Sequence, residues 1–219
     1  MLHKLDYEPP VNNGLDVIYQ DPELLIVNKP SGLLSVPGRG EHKSDCMYSR
    51  VLAEYGTALV VHRLDMPTSG LMLFALSKSM QSDMSKLFEN RKISKQYVAI
   101  VSGHPGSQSG VISQPLITDW LNRPKQKIDY SIGKPSITRY KVSSYEKNNT
   151  RVELIPETGR SHQLRIHMSS IGHPILGDDL YGTYSSRNAS HRLLLHAEKL
   201  VFRHPETGST ISVTIKPEF

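Results

Sequence analysis

Apolar positions along the chain recur in two rhythms, one of strands and one of helices. Leu15–Tyr19 and Leu24–Asn28 are short apolar runs separated by Gln20-Asp21-Pro22-Glu23, which predicts a hairpin. Lys29-Pro30-Ser31-Gly32 breaks that pattern, and Ser35–Gly40, with Pro37 and two glycines, reads as a loop. Met47, Val51 and Tyr55 fall at i, i+4 and i+8, predicting an amphipathic helix capped near Ser44-Asp45 and ended by Gly56. Leu71–Leu76 is apolar without alternation, the pattern of a strand buried on both faces. Met80, Met84, Leu87 and Phe88 mark a second helix opened by Ser77 or Ser79, its methionines filling core rather than binding a ligand.

Gln96–Val101 is the next strand. Residues 103–134 are rich in Gly, Pro and Ser without a long periodic run, and read as an excursion with short strands. Ser136–Tyr145 alternates and resumes after Lys147-Asn148-Asn149 as Arg151–Ile155, a second hairpin. Leu164, Met168 and Ile171 predict a third helix stopped by Gly172 and Pro174, with Arg165 on the opposite face beside Ser161 and Ser169. Leu193–Phe202 and Ile211–Ile215 are strands around a turn at His204–Gly208. Many strands at hairpin spacing, three helices and no βαβ repeat predict an α+β fold with a mixed, mainly antiparallel sheet. Residues 1–14 read as an irregular lead-in and 15–219 as one unit.

Composition changes this picture little. The 219 residues suffice for a substantial core, with 37% hydrophobic and 21% charged residues. The formal charge of +5 suits a nucleic-acid partner without requiring one. A single cysteine, Cys46, excludes an intrachain disulfide and a thiolate metal site. Met1–Pro10 lacks the apolar core of a secretory signal, and no apolar stretch approaches the roughly 18 residues of a membrane span. A cytoplasmic monomer without a membrane partner is expected.

The chemistry centres on His62-Arg-Leu-Asp-Met-Pro-Thr-Ser-Gly70, where one carboxylate, Asp65, stands beside cations at the lip of a buried strand. Its bland alternative is a turn aspartate paired with Arg63. The order His-Arg-Leu-Asp does not match a protein-kinase catalytic loop, and no Gly-rich loop or Asp-Phe-Gly accompanies it. His162 and His167 are five apart, off a shared helical face, so a metal site with His173, or among His191, His196 and His204, is not expected. A glycosidase would need a second carboxylate, for which Glu157, Asp178 and Asp179 are candidates. A second stretch, Gly159-Arg-Ser-His-Gln-Leu-Arg-Ile-His167, gathers Arg160, His162 and Gln163 at a helix start that favours anions. Taken alone it reads as a solvated cationic face; set against Asp65, Arg165 could keep that carboxylate ionised. Tyr97 is by default a core aromatic whose hydroxyl could also transfer a proton or whose ring could stack.

Together these stretches resemble the RluA-type pseudouridine synthases. The match comprises His62–Gly70, Lys95-Gln-Tyr-Val-Ala-Ile-Val-Ser-Gly103, and Gly159–Met168 continued by Gly172-His-Pro-Ile-Leu-Gly-Asp178, with Lys29–Leu33 as the family's early Lys-Pro turn. The resemblance implies a catalytic Asp65, Tyr97 against the target base, Arg165 partnering Asp65, and Arg63 entering the RNA where the uridine has flipped out. It places His62, Thr68, Arg160, His162 and Gln163 against RNA, with Arg91, Lys92, Lys95, Arg123, Lys125 and Lys127 gripping phosphate. The implied fold is a mixed sheet with flanking helices and a central RNA cleft. The implied reaction breaks N1–C1′ of uridine and joins C5 to C1′, with no cofactor or metal. Asp65 would attack C1′ or take a proton from C2′, a choice the residues leave open.

The residues before Asp65 already hold a hairpin and a helix, so the separate N-terminal RNA-binding module of many members is not expected. Asp119–Lys127 with Gly133-Lys-Pro135 resembles the small members acting on both a 23S rRNA hairpin and tRNA anticodon stem-loops. Two rivals are an RNA-binding protein without catalysis and a nucleosidase or glycosidase using Asp65 with a second carboxylate.

Overall fold

A computed structural model describes residues 7–219. The part of the expected lead-in before Tyr7 lies outside the described residues, and residues 7–14 carry no regular structure. The first half holds β1 (Val17–Gln20), β2 (Leu24–Lys29), α1 (Met47–Tyr55), β3 (Leu59–Val60), β4 (Ser69–Ala75) and α2 (Lys78–Glu89). Next come β5 (Ser94–Ser102), β6 (Ser109–Ile112), β7 (Leu116–Thr118), β8 (Gln126–Ile128), β9 (Thr138–Glu146) and β10 (Asn149–Pro156). The chain ends with α3 (Gln163–Ser170), α4 (Tyr184–Asn188), β11 (Leu195–Arg203) and β12 (Thr210–Thr214).

Eight strands run across one mixed sheet in the order β1-β2-β4-β11-β5-β10-β9-β6, with β3 also on β4 and β12 also on β11. The junction of its two halves is parallel, pairing Ser69 with His196 and Gly70 with Ala197. The backbones approach so closely there that a Cβ on Gly70, whose φ is +108°, would stand 2.3 Å from the Ala197 carbonyl oxygen. Glycine is thus required where the Asp65 motif enters β4. The β7–β8 ribbon stands apart as a separate two-stranded sheet.

Every residue of β4 is buried, as its unbroken apolar run predicts. Leu71, Leu73 and Ala75 join the Met80/Met84 side of α2, whereas Met72 and Phe74 join Met47 and Val51 of α1. A third cluster unites Leu164 and Met168 of α3 with Ala99, Val101, Val152 and Leu154. Tyr97 touches both the α1 and the α3 clusters, so it lies under the gap between them.

Three expectations need correction. The cap of α1 is Cys46, whose sulfur accepts the Ser49 N–H; Asp45 instead forms two hydrogen bonds with Arg50, at 2.8 and 2.9 Å. Helix α3 is buried on every side from Gln163 to Met168, because β9, β8 and the Gly177–Tyr181 turn cover its polar side, and only its end at Ser170 is exposed. Helix α4 is too short to announce itself by periodicity and holds through the Thr183 hydroxyl, which accepts the Ser186 N–H. Ser77 caps α2 and Gly56 ends α1, as the sequence predicts.

Candidate active site

The loop between β3 and β4 is fixed on both sides of Asp65. His62 Nε2 accepts the Leu73 N–H at 2.9 Å, and its ring stacks on Phe88 with centroids 4.8 Å apart. Leu64 exchanges two hydrogen bonds with the Ser35 hydroxyl, its carbonyl accepting and its N–H donating. The carbonyl of Met66 accepts from Lys29 Nζ and from the Gly32 N–H, each at 3.0 Å, and that of Pro67 accepts from the Ser31 hydroxyl. Thr68 N–H closes the turn onto the Asp65 carbonyl at 3.0 Å. The Lys-Pro-Ser-Gly turn is therefore the footing of the aspartate loop.

Lys29 is fully buried, its ammonium donating to the carbonyls of Pro30, Leu33 and Met66. Burial pulls its pKa down to about 7, with the Asp65 carboxylate pulling the other way. Three carbonyl acceptors call for three N–H donors, which only the protonated amine offers. The ammonium is the form this turn is built around.

Among the described residues Asp65 has no close side-chain hydrogen-bond partner. Its two oxygens face Arg165 Nη1 and His162 Nε2, each at 3.9 Å, and its side chain is 27% exposed. At that distance the coupling is electrostatic rather than a hydrogen bond. Arg165 cannot swing closer, because Asp178 grips Nε and Nη2 at 2.8 and 2.7 Å and Asp179 accepts from Nη2 at 2.8 Å. Asp178 is wholly buried and also accepts the Leu180 and Tyr181 N–H groups. The partner expected for Arg165 was Asp65; its direct partners are Asp178 and Asp179, with Asp65 facing the remaining nitrogen. Burial acts against the Arg165 charge, but the hydrogen bond and charge of Asp178 outweigh it and raise its pKa.

His162 occupies the left-handed cap position of α3 with φ +55°. Its Nδ1 lies 2.7 Å from the Tyr181 hydroxyl, which accepts the Gln126 N–H at 2.8 Å. Burial lowers the His162 pKa against the opposing pull of Asp65, so the ring is neutral. With the Tyr181 hydroxyl donating to Nδ1, the proton sits on Nε2 and points toward Asp65, a tautomer assigned from this network.

Asp65 borders two cavities that meet at Arg63, Asp65, His162 and Arg165. One, of about 130 Å³, adds Thr68, Lys95, Tyr97 and Arg160. That is close to the ~150 Å³ that accommodates a benzene ring. The other, of about 460 Å³, runs past Lys43, Met66, Pro124 and Asp179. A third, of about 580 Å³, continues from the Tyr97 side past Arg63, Arg91, Lys95 and Arg160. The result is a groove with Asp65 in its middle and cations along it. Burial and the Asp65 charge both raise the Tyr97 pKa, so its phenol stays protonated. Burial, then Arg91, lowers that of Lys95.

Two residues expected against RNA border the cavities, His62 the one past Arg91 and Gln163 the one beside Tyr97, with their polar atoms engaged inside the protein. His62 is spent on Leu73 and Phe88, and burial pushes its pKa down to about 3. Gln163 is 3% exposed, and its amide bonds Thr158, Thr138, the Ile137 carbonyl and the Arg160 N–H. Both shape the site, as does Thr68, which is 2% exposed and lines the same cavity as Gln163. Arg63, Arg91, Lys92, Arg123 and Lys127 are exposed, and Lys127 pairs with Asp129 at 3.6 Å. Lys29, Tyr181 and the structural role of Asp178 escaped notice; the Lys-Pro turn and the Gly-Asp stretch carried the signal. The candidate second carboxylates are also engaged: Asp178 and Asp179 by Arg165, Glu157 by Arg139 at 2.5 Å. Among the described residues no three of His, Cys, Asp and Glu converge as metal ligands.

The same chain matches the RNA pseudouridylate synthase family over residues 23–170. It belongs to that family. It is 49% identical over 215 residues to the dual-specificity RNA pseudouridine synthase RluA of Escherichia coli (strain K12), covering 98% of both chains. The synthase of that name from Haemophilus influenzae is 48% identical over 216 residues, 98% of this chain and 99% of the relative. Among solved structures, human RNA pseudouridylate synthase domain containing 1 superposes with a TM-score of 0.81 at 30% identity, over 97% of this chain and 87% of that one. This family's mixed sheet with few helices is the fold described above.

Proposed function

We propose that this chain isomerises uridine to pseudouridine in structured RNA, with Asp65 as the reacting carboxylate. The observation that carries the reading is a carboxylate without a close hydrogen bond among the described residues, facing a cavity of aromatic-ring size, with Arg165 and neutral His162 each 3.9 Å away. Asp178 holds Arg165 in place, with the remaining guanidinium nitrogen turned toward the Asp65 carboxylate. A flipped uridine enters the cavity over Tyr97, and Arg63 at the mouth fills the gap left in the RNA stack.

Either Asp65 attacks C1′ and displaces N1, and C5 of the turned uracil then takes C1′ and releases the carboxylate, or Asp65 removes the C2′ proton as N1–C1′ breaks and returns it as C5–C1′ forms. The C5 proton then leaves and N1 gains one. Because the Tyr97 phenol is held protonated, its part is to stack on the uracil and hold it rather than to begin as a base. The groove cations Arg91, Lys92, Lys95 and Arg160 on one side, and Arg123, Lys125 and Lys127 on the other, contact phosphate.

The RNAs are a 23S rRNA hairpin and tRNA anticodon stem-loops, a breadth supported by the dual specificity in the relatives' names. The protein works as one catalytic unit and as a monomer in the cytoplasm; no helix among the described residues is long and apolar enough to cross a membrane.

The test uses these RNAs transcribed with uridine tritiated at C5. Tritium release by the wild-type chain and its loss in Asp65→Ala are expected, with the strand left intact. Release of free uracil would overturn the isomerase in favour of a glycosidase, and tight binding without tritium release would favour a non-catalytic binder.

A further inference from the structure

The tip of the β7–β8 ribbon exposes two apolar side chains: Trp120 is 69% and Leu121 96% exposed. The Arg123 guanidinium lies over the Trp120 ring, 3.3 Å from its centroid. We propose that Trp120 and Arg123 form a stacking platform for an unpaired nucleobase of the RNA stem-loop whose uridine occupies the Asp65 cavity. This rests on the RNA reading above and adds a second base-binding position to it.

The tip is held rather than dangling. Asp119 N–H donates to the Lys125 carbonyl and Lys125 N–H to the Asn122 carbonyl, both at 3.0 Å, while Asn122 Nδ2 donates to the Asp119 carboxylate at 2.8 Å. The ribbon is also tied to the site. Gln126 N–H reaches the Tyr181 hydroxyl, which bonds His162, which faces Asp65. Pro124, next to Arg123, lines the same cavity as Asp65. The platform therefore stands at a fixed offset from the target uridine, on the rim of the groove.

Charge selects the occupant. Arg123, Lys125 and Lys127 suit a phosphate backbone, and an indole stacked with a guanidinium presents the π-surface and cation that hold unpaired bases without regard to sequence. A duplex keeps its bases stacked and offers nothing to this surface. A stem-loop supplies both the flipped uridine and unpaired neighbours.

Trp120 is the single tryptophan of the chain, so its emission reports this position alone. The full chain carrying Asp65→Asn is titrated with a tRNA anticodon stem-loop and with a blunt duplex of the same stem, following emission and filter retention together. Quenching that saturates with retention of the stem-loop, is absent with the duplex, and is lost when the loop base is replaced by an abasic residue is expected. In tritium-release assays Trp120→Ala raises KM about five- to a hundredfold with kcat held, and Trp120→Phe restores most of it.

Retention of the stem-loop with unchanged emission, equal quenching by the duplex, or an unaltered KM in Trp120→Ala would overturn the platform and leave the tip to a protein partner. Quenching by a stem-loop that the wild-type chain binds but never converts would overturn the isomerase and leave the platform standing. Failure to bind any stem-loop would overturn both.

Discussion

Lys29 Nζ lies 3.0 Å from the carbonyl oxygen of Met66, the residue that follows Asp65. One buried ammonium thereby joins the end of β2 to the aspartate loop, and its other donors satisfy Pro30 and Leu33. Removing it takes the ammonium from the Pro30 and Leu33 carbonyls and leaves the Met66 carbonyl with the Gly32 N–H alone. Lys29→Met should cost about 3 kcal/mol in stability and lower kcat through a displaced Asp65. Lys29→Arg should not rescue, because a planar fork cannot donate to three carbonyls arranged around one nitrogen. Thermal unfolding and single-turnover assays of both variants check this.

Asp65 and Asp178 both face Arg165, but they stand in opposite relations to it. Asp178 is buried with four hydrogen-bond donors on it, and among the described residues Asp65 has none within hydrogen-bond distance. Asp65→Asn should therefore leave the melting temperature nearly unchanged while activity falls at least about a hundredfold. Asp178→Ala should cost about 3–5 kcal/mol, since it leaves the guanidinium buried beside weaker partners, and activity should fall with the fold. Chemical denaturation beside tritium release separates the two. Equal stability losses in both variants would show that the site is organised differently.

The parts legible in the sequence are those with a period or a punctuating residue. The unbroken run of β4, the Met80/Met84 stripe, the Ser77 cap and the Gly56 stop are all local signals, and each has its counterpart in the structure. The site was legible as motifs but not as contacts. Arg165 looked solvent-facing because helical periodicity cannot reveal that the Gly177–Tyr181 turn folds over it. The Lys-Pro turn marked Lys29 but not its burial, since a lysine is buried only where distant backbone presents carbonyls, and that is a property of the tertiary fold.

Gly70 is the position where the aspartate motif and the sheet make a joint demand. Its φ of +108° and the 2.3 Å that a Cβ would leave to the Ala197 carbonyl allow no side chain. Gly70→Ala should destabilise the chain by about 3 kcal/mol, combining torsional strain with a clash against backbone that cannot step aside. Because β4 and β11 join the two half-sheets, the loss should appear as a lower global unfolding midpoint rather than local fraying.

His62 gives the fold a defined acid sensitivity. Its ordinary pKa is 6.5; burial, with a smaller push from Lys95, takes it to about 3 in the folded chain. Between these values the unfolded chain binds a proton that the folded chain refuses, so stability increases with pH across the window and falls on acidification from about 6.5 toward 3. Structure agrees with the sign, since protonating Nε2 would abolish the acceptor for the Leu73 N–H and place a cation against Phe88. His62→Gln, which keeps an acceptor but does not titrate, should be less stable at pH 7 yet lose less stability between pH 6.5 and 4 than the wild type. Urea midpoints collected across that range check it. A wild-type slope that survives the substitution undiminished would assign the acid sensitivity to other buried histidines, of which His162, His167 and His196 also have lowered pKa values.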